Sequence, residues 1–254
     1  MFYCTALLLL AATADVFGHS IRKFLQVGII GGDSVPISEV PYMADLRLFD
    51  GEHVCGASII HERFVLTATH CSVFYPSIYK VAVGTDNART GEIYGVEKII
   101  SNERFSLDTF EYDIALVKLN KTIIFGPNVT KVDLPDEDFE LKTGMVLNAT
   151  GWGVTEVDGE GSDTLLEVSL EFVSQSECAA IYGKNSNFNI TDKMVCAGAD
   201  GKGACYGDSG GPLTWNNVQV GIASCGERCG QYPGVFTKLS VLLSWIKDTI
   251  ASNI

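Results

Sequence analysis

Short β-prone runs cut by turn signals constrain this chain more than any other feature. The runs are Tyr79–Val83, Ile114–Leu119, Leu165–Phe172, Val218–Ala223 and Gly234–Leu239. Between them stand Asp50-Gly51, Asp158-Gly159, Asp200-Gly201 and Asn216-Asn217. Runs this short, rich in β-branched residues and closed by turn dipeptides, read as strands of an all-β barrel or sandwich. Helical periodicity is persuasive only at the end of the chain. There Ser240 can cap a helix whose apolar face is Leu242, Leu243, Trp245, Ile246 and Ile250. A length of 254 residues suits one large domain or two small ones sharing an interface. The segment Phe125–Glu140, with Pro127, Pro135 and a run of acids, is the best connection between two halves.

Charge narrows the class. The chain carries 18 Lys and Arg against 31 Asp and Glu, a net charge of −13. That balance argues against nucleic acid as a partner, since phosphate demands clustered cations. An acidic surface instead keeps an exported protein soluble. Residues 1–14 read as a signal peptide, with the apolar run Leu7–Leu10, Ala11, Ala12 and the small-x-small site Ala12-Thr13-Ala14; Gly18 is a second cleavage candidate. No later segment has the ~18 apolar residues that a membrane helix needs. The expectation is a secreted, extracellular protein without a membrane anchor.

Export makes disulfides favourable. Of eight cysteines, Cys4 leaves with the signal peptide, and an odd set remains: Cys55, Cys71, Cys178, Cys196, Cys205, Cys225 and Cys229. At least one must stay out of intrachain bridges. No Cys-x-x-Cys pair suggests zinc. Sequons at Asn120, Asn128, Asn148 and Asn189 are glycosylation candidates.

The chemistry centres on Gly207-Asp208-Ser209-Gly210-Gly211-Pro212. A serine hydroxyl needs a base to become a nucleophile. Flanking glycines let backbone N–H groups approach a substrate carbonyl. The four histidines, His19, His53, His61 and His70, all precede Ser209. An α/β-hydrolase order, with His last, is therefore excluded. His70 is the best base, because it ends the run Phe64–Thr69 directly before Cys71. His53 and His61 lie in polar, turn-like contexts and read as surface residues. Asp113 heads the apolar run Ile114–Leu119, where a carboxylate is costly to bury without a partner. It can orient an imidazole.

Together Thr67-Ala68-Thr69-His70-Cys71, Asp113-Ile114-Ala115-Leu116, Gly151-Trp152-Gly153 and Gly207–Pro212 resemble the trypsin/chymotrypsin family of serine proteases. Ile29-Ile30-Gly31-Gly32 looks like that family's mature N-terminus. Thr69 stands where Ala is usual. The resemblance covers residues 29 to about 250. It implies an all-β fold of two six-stranded antiparallel β-barrels and a C-terminal helix, with the active site in the cleft between barrels. The boundaries it suggests are a propeptide over 15–28 and a peptidase domain over 29–254. Within that domain the N-terminal barrel would span about 29–130, the C-terminal barrel 131–238 and the helix 240–251.

The resemblance also implies roles. His70, Asp113 and Ser209 form the catalytic triad of a serine endopeptidase. The N–H groups of Gly207 and Ser209 form the oxyanion hole. Asp208 pairs with the amino group of Ile29 once the bond after Gly28 is cut. Disulfides join Cys55–Cys71, Cys178–Cys196 and Cys205–Cys229, and Cys225 is the odd cysteine, standing where Trp is usual. The substrate pocket is formed by Gly203, Ala204, Tyr206, Ser224, Cys225, Gly226 and Gly234. An uncharged base at Gly203 and open walls at Gly226 and Gly234 imply a chymotrypsin-like preference for large apolar or aromatic residues; trypsin-like or broad collagenolytic cleavage, or a catalytically inactive homologue acting as a binding protein, are the alternatives. Glu227 and Arg228 add charge near the entrance. Implied partners are protein or peptide substrates and protein inhibitors, acting on a monomer. No cofactor or metal is expected, because an acidic calcium loop is not evident around Gly84–Gly95.

Overall fold

A computed structural model describes residues 29–153, 161–185 and 188–254. The expected signal peptide, the propeptide and Gly28 lie outside the described residues. Among the described residues the elements are thirteen strands, two α-helices and two 3-10 turns.

The first barrel is built from β2 (Met43–Leu48), β3 (His53–His61), β4 (Phe64–Thr67), β5 (Tyr79–Val83), β6 (Glu92–Ser101) and β7 (Ala115–Leu119). All pairings are antiparallel, and the barrel closes in the order β2-β3-β4-β7-β6-β5. The Asp50-Gly51 signal makes the β2–β3 turn, with Gly51 at φ +93°. Strand β2 is buried along nearly its whole length although it carries Asp45 and Arg47. Two charges buried in a strand require partners.

The second barrel comprises β8 (Val146–Gly151), β9 (Leu166–Val173), β10 (Met194–Gly198), β11 (Pro212–Trp215), β12 (Val218–Cys225) and β13 (Gly234–Lys238). It closes in the order β8-β9-β10-β13-β12-β11. Asn216 and Asn217 turn the β11–β12 hairpin with φ of 49° and 61°, the left-handed pair a two-residue hairpin wants. The two-residue β1 (Asp33–Ser34) adds a seventh strand on β9.

The first and last described segments cross between the barrels. Ile29 is buried in the core of the second barrel, and Val35 donates to Leu165 O at 3.0 Å. Conversely α2 (Leu243–Ala251) packs Leu243 and Ile246 into the core of the first barrel. The helix starts later than the sequence suggests. Leu242 occupies the N-cap without a side-chain hydrogen bond, so Ser240 is not the cap. A further helix, α1 (Gln175–Asn185), has no counterpart in the sequence reading. Its apolar signal is weak, and Cys178 ties it to β10 through the bridge to Cys196. The connection between barrels passes through Val132, which donates to Ile59 O at 2.9 Å, and Asp133, whose carbonyl accepts from Gln219 at 2.9 Å.

Candidate active site

The site forms where β4 and β7 of the first barrel meet the β10–β11 loop of the second. After β4 the chain makes a single 3-10 turn over Thr69–Cys71. The Cys55–Cys71 disulfide ties that turn to β3, and Thr69 Oγ1 donates to Ile114 O at 2.7 Å. The His70 ring is fixed by these restraints. Its Nδ1 bonds Asp113 Oδ2 at 2.7 Å, and its backbone N–H donates to Asp113 Oδ1 at 3.0 Å. Ser224 Oγ donates to Asp113 Oδ2 at 2.6 Å. Asp113 is fully buried, and these donors replace the water it has lost. Because the carboxylate accepts, Nδ1 carries the proton and Nε2 is left as the basic nitrogen. Two non-glycine residues just ahead of Asp113, Phe110 and Tyr112, have φ of 55° and 56°. The Phe110 ring sits edge-on to His70 at 5.9 Å, and the Arg104 guanidinium lies 4.0 Å from the Tyr112 ring centre. These contacts hold a backbone that would otherwise relax.

Ser209 lies in a loop anchored at several points. Cys205 is bridged to Cys229. The Asp208 carboxyl accepts from Cys205 N at 3.0 Å and from Gly153 N at 3.3 Å. Gly56 N donates to Ser209 O at 2.8 Å, a backbone bond from the first barrel to the second. Glycine is required where the barrels touch. A Cβ on Gly210 (φ +78°) would meet Thr67 Oγ1 at 2.1 Å and Gly56 O at 2.5 Å. Gly207 has φ +86°. Burial pushes the Asp208 carboxyl up to about 7, against the lowering effect of the Cys205 and Gly153 N–H groups and of the His53 charge.

His70 and Ser209 line one cleft between the barrels. Of the seven expected pocket residues, Ala204, Tyr206, Ser224, Cys225, Gly226 and Gly234 line the same cleft. Gly203 is not among the lining residues; it is buried and paired with Ile30 by bonds of 2.8 and 3.1 Å. A Cβ on Gly226 would come within 3.8 Å of Gly234 Cα, an ordinary van der Waals contact, so these two lining glycines lie close together. Tyr182 braces this wall by donating to Pro233 O at 2.7 Å. No carboxylate or amine lines the slot among the described residues. Sequence reasoning missed Val73, Leu107 and Phe110, which form the first-barrel side of the cleft. Loop residues without periodicity give no signal of where they fold.

Cys225 takes part in none of the three disulfides. Cys55, Cys71 and His70 bring potential ligand atoms within 4.8 Å of one another, but both sulfurs are committed to a disulfide and offer no thiolate. Asn120, Asn128 and Asn189 are exposed, whereas the half-buried Asn148 donates to Glu167 and accepts from Ser169. No helix among the described residues is long and apolar enough to cross a membrane. One expectation is overturned. His53 is not a surface residue: its side chain is 17% exposed, and it bonds Asp45 Oδ1 at 2.6 Å and Gly207 O at 2.9 Å.

Comparison with known proteins agrees with this geometry. The model of the family described as Trypsin matches residues 29–246. Trypsin 5G1 of Aedes aegypti is 37% identical over 87% of this chain and 84% of its own length. The vitellin-degrading protease of Bombyx mori is 33% identical over 98% of this chain and 94% of its own. Trypsin-1 of Astacus astacus is 37% identical over 86% and 98%. Two closed barrels, the ordered motifs and these matches lead to one conclusion: the chain belongs to the trypsin family and is a serine endopeptidase.

Proposed function

We propose that Ser209, His70 and Asp113 hydrolyse peptide bonds through an acyl-enzyme. The observation carrying this reading is the buried Asp113 carboxylate bonded to His70 Nδ1 in the cleft that Ser209 also lines. Ser209 Oγ attacks the carbonyl carbon while His70 Nε2 takes its proton. The imidazolium then protonates the leaving amine, and water repeats the cycle on the ester. Asp113 holds the tautomer and balances the imidazolium charge. The N–H groups of Gly207 and Ser209 receive the oxyanion.

The pocket supports a chymotrypsin-like preference for Phe, Tyr, Leu or Met. No Asp, Glu, Lys or Arg stands among its lining residues, and Gly203 offers no carboxylate to an Arg or Lys side chain. Cys225 leaves one wall smaller than a Trp would. Substrates are proteins or peptides, taken by a secreted monomer, and Asn120, Asn128 and Asn189 are the sequons best exposed for glycans.

Activation follows from Asp208. A buried carboxyl pushed up to about 7 calls for a cation. The α-amino group freed by cutting after Gly28 supplies it, because Ile29 is already buried in the second barrel and Ile30 already pairs with Gly203. The residue before the cut is Gly, so a protease specific for Arg or Lys does not complete the step alone.

Treatment with a serine-directed phosphonate, followed by peptide mapping, tests the whole reading. Stoichiometric labelling of Ser209, lost in Ser209→Ala together with hydrolysis, is expected. Failure to label, or activity surviving in Ser209→Ala, overturns it. Cleavage mainly after Arg or Lys would overturn the specificity alone. Activity with an N-terminus other than Ile29 would overturn the activation step.

A further inference from the structure

A second Asp–His pair touches the nucleophile loop at Gly207. Asp45 on β2 is fully buried, and its two carboxylate oxygens have separate partners: Oδ2 accepts from Arg47 Nε at 2.6 Å and Oδ1 bonds His53 Nδ1 at 2.6 Å. The other ring nitrogen, His53 Nε2, reaches the second barrel and bonds the carbonyl oxygen of Gly207 at 2.9 Å. We propose that the Asp45–His53 pair is a positioning device that holds the Gly207 carbonyl, and through it the oxyanion-binding N–H of Gly207, in the orientation catalysis requires. The inference rests on the serine-protease reading above.

The argument begins with protons. A carboxylate and a carbonyl oxygen can only accept, so both ring nitrogens of His53 must donate. His53 is therefore an imidazolium. Burial by itself disfavours that charge, but the Asp45 charge and hydrogen bond, the Gly207 carbonyl and the Asp208 charge together raise His53 above the usual histidine value. Among the described residues, the charged groups facing it are Asp45 and, through Asp45, Arg47 on β2, and Asp208 on the loop. The Trp152 ring packs at 6.2 Å on another side.

The loop needs such a hold. Gly207 has φ +86° and no side chain, so its two flanking peptide planes turn easily. One plane carries the oxyanion donor and the other carries the carbonyl that His53 grips. Strand β3 holds this loop twice: Gly56 N on Ser209 O, and His53 on Gly207 O. The first bond does not titrate; the second does. When the imidazolium loses its proton, the remaining N–H stays with the Asp45 carboxylate. Nε2 then turns a lone pair toward the Gly207 carbonyl, and the grip becomes repulsion.

Three variants of the activated enzyme test this, each normalised to its titrated active-site concentration. His53→Ala should lower kcat on the order of tenfold with KM little changed, less than the ~10²–10³ lost with a direct oxyanion donor. His53→Gln keeps an amide donor for Gly207 and should recover most of that loss. Asp45→Asn should move the alkaline limb of kcat to lower pH, because His53 loses its counter-charge. Should a variant fail to fold, nitrogen NMR of the histidines in Ser209→Ala protein still decides the point. Both His53 nitrogens should remain protonated at pH 7.5. Unchanged kcat in His53→Ala, no recovery in His53→Gln, an unmoved limb in Asp45→Asn or a neutral His53 would each overturn the proposal. Absence of hydrolysis in the parent enzyme would instead sink the protease reading.

Discussion

The molecule contains two Asp–His pairs that differ in what they face. Asp113–His70 faces the cleft: the imidazole bonds the carboxylate through Nδ1, and the residue lines the cleft that Ser209 also lines. Asp45–His53 faces the protein: its imidazole bonds a carboxylate with one nitrogen and a backbone carbonyl with the other. What separates the two pairs is their surroundings: His70 lines the open cleft, whereas the second nitrogen of His53 meets the Gly207 carbonyl.

The sharpest break in the comparison comes from Asp113→Asn. It should cut kcat/KM by about 10⁴-fold, because the amide imposes the wrong histidine tautomer. Thermal stability should change little, since the amide fills the same space. Steady-state kinetics beside a melting curve measures both. A loss under a hundredfold would mean that His70 is not the base.

Replacing the other acid should invert that pattern. Asp45→Leu strands the buried Arg47 and His53 charges and should cost about 3–5 kcal/mol of stability. For a chain of this size that lowers Tm by roughly 10 °C. Calorimetry of the inactive Ser209→Ala background measures it without self-digestion. A stability loss no larger than that of Asp113→Asn would erase the distinction between the pairs.

A smaller effect is expected at Ser224, which gives Asp113 a third hydrogen bond at 2.6 Å. Ser224→Ala should lower kcat/KM about tenfold, as a charge-assisted bond of ~1.5 kcal/mol would. Substrate affinity also depends on this residue through the cleft, so the split between kcat and KM is the informative reading.

The smallest effect concerns pH. His53 is raised above its unfolded value, so it favours the folded state fully below about pH 6.5 and loses that contribution as pH rises through its folded value. Urea midpoints of the Ser209→Ala protein should therefore decline on the alkaline side. The decline should be shallower in His53→Gln. Parallel curves for the two proteins would show that His53 is not the titrating group.

Much of the site was legible because chemistry was written in local words. Ser209 among glycines, His70 beside Cys71 and Asp113 ahead of an apolar strand each stand in a motif of a few adjacent residues, and their order along the chain excluded an α/β-hydrolase. The hairpin turns at Asp50-Gly51 and Asn216-Asn217 were equally plain, since backbone φ is a local property. His53 was misread because its context is polar and turn-like, while its second partner, Gly207, is 154 residues away in sequence. Helix α1 escaped notice because its burial depends on the Cys178–Cys196 bridge and not on a strong apolar face.

By itself the sequence determined the all-β class and the family resemblance, and it pointed to Ser209, His70 and Asp113 as nucleophile, base and acid. Only the tertiary structure decided which barrel takes the first and the last described segment, where the pocket walls stand and which buried charges meet. Ile29 enters the second barrel and α2 covers the first, a crossing no local pattern encodes. Gly210 must be glycine because Thr67 and Gly56 of the other barrel press against it. Asp45 and His53 acquire a role only when β3 is laid against the Gly207 loop, 154 residues away in the chain. Local sequence fixes torsions and apolar periodicity over a few residues; the partners of a buried charge are set by how whole sheets close and pack.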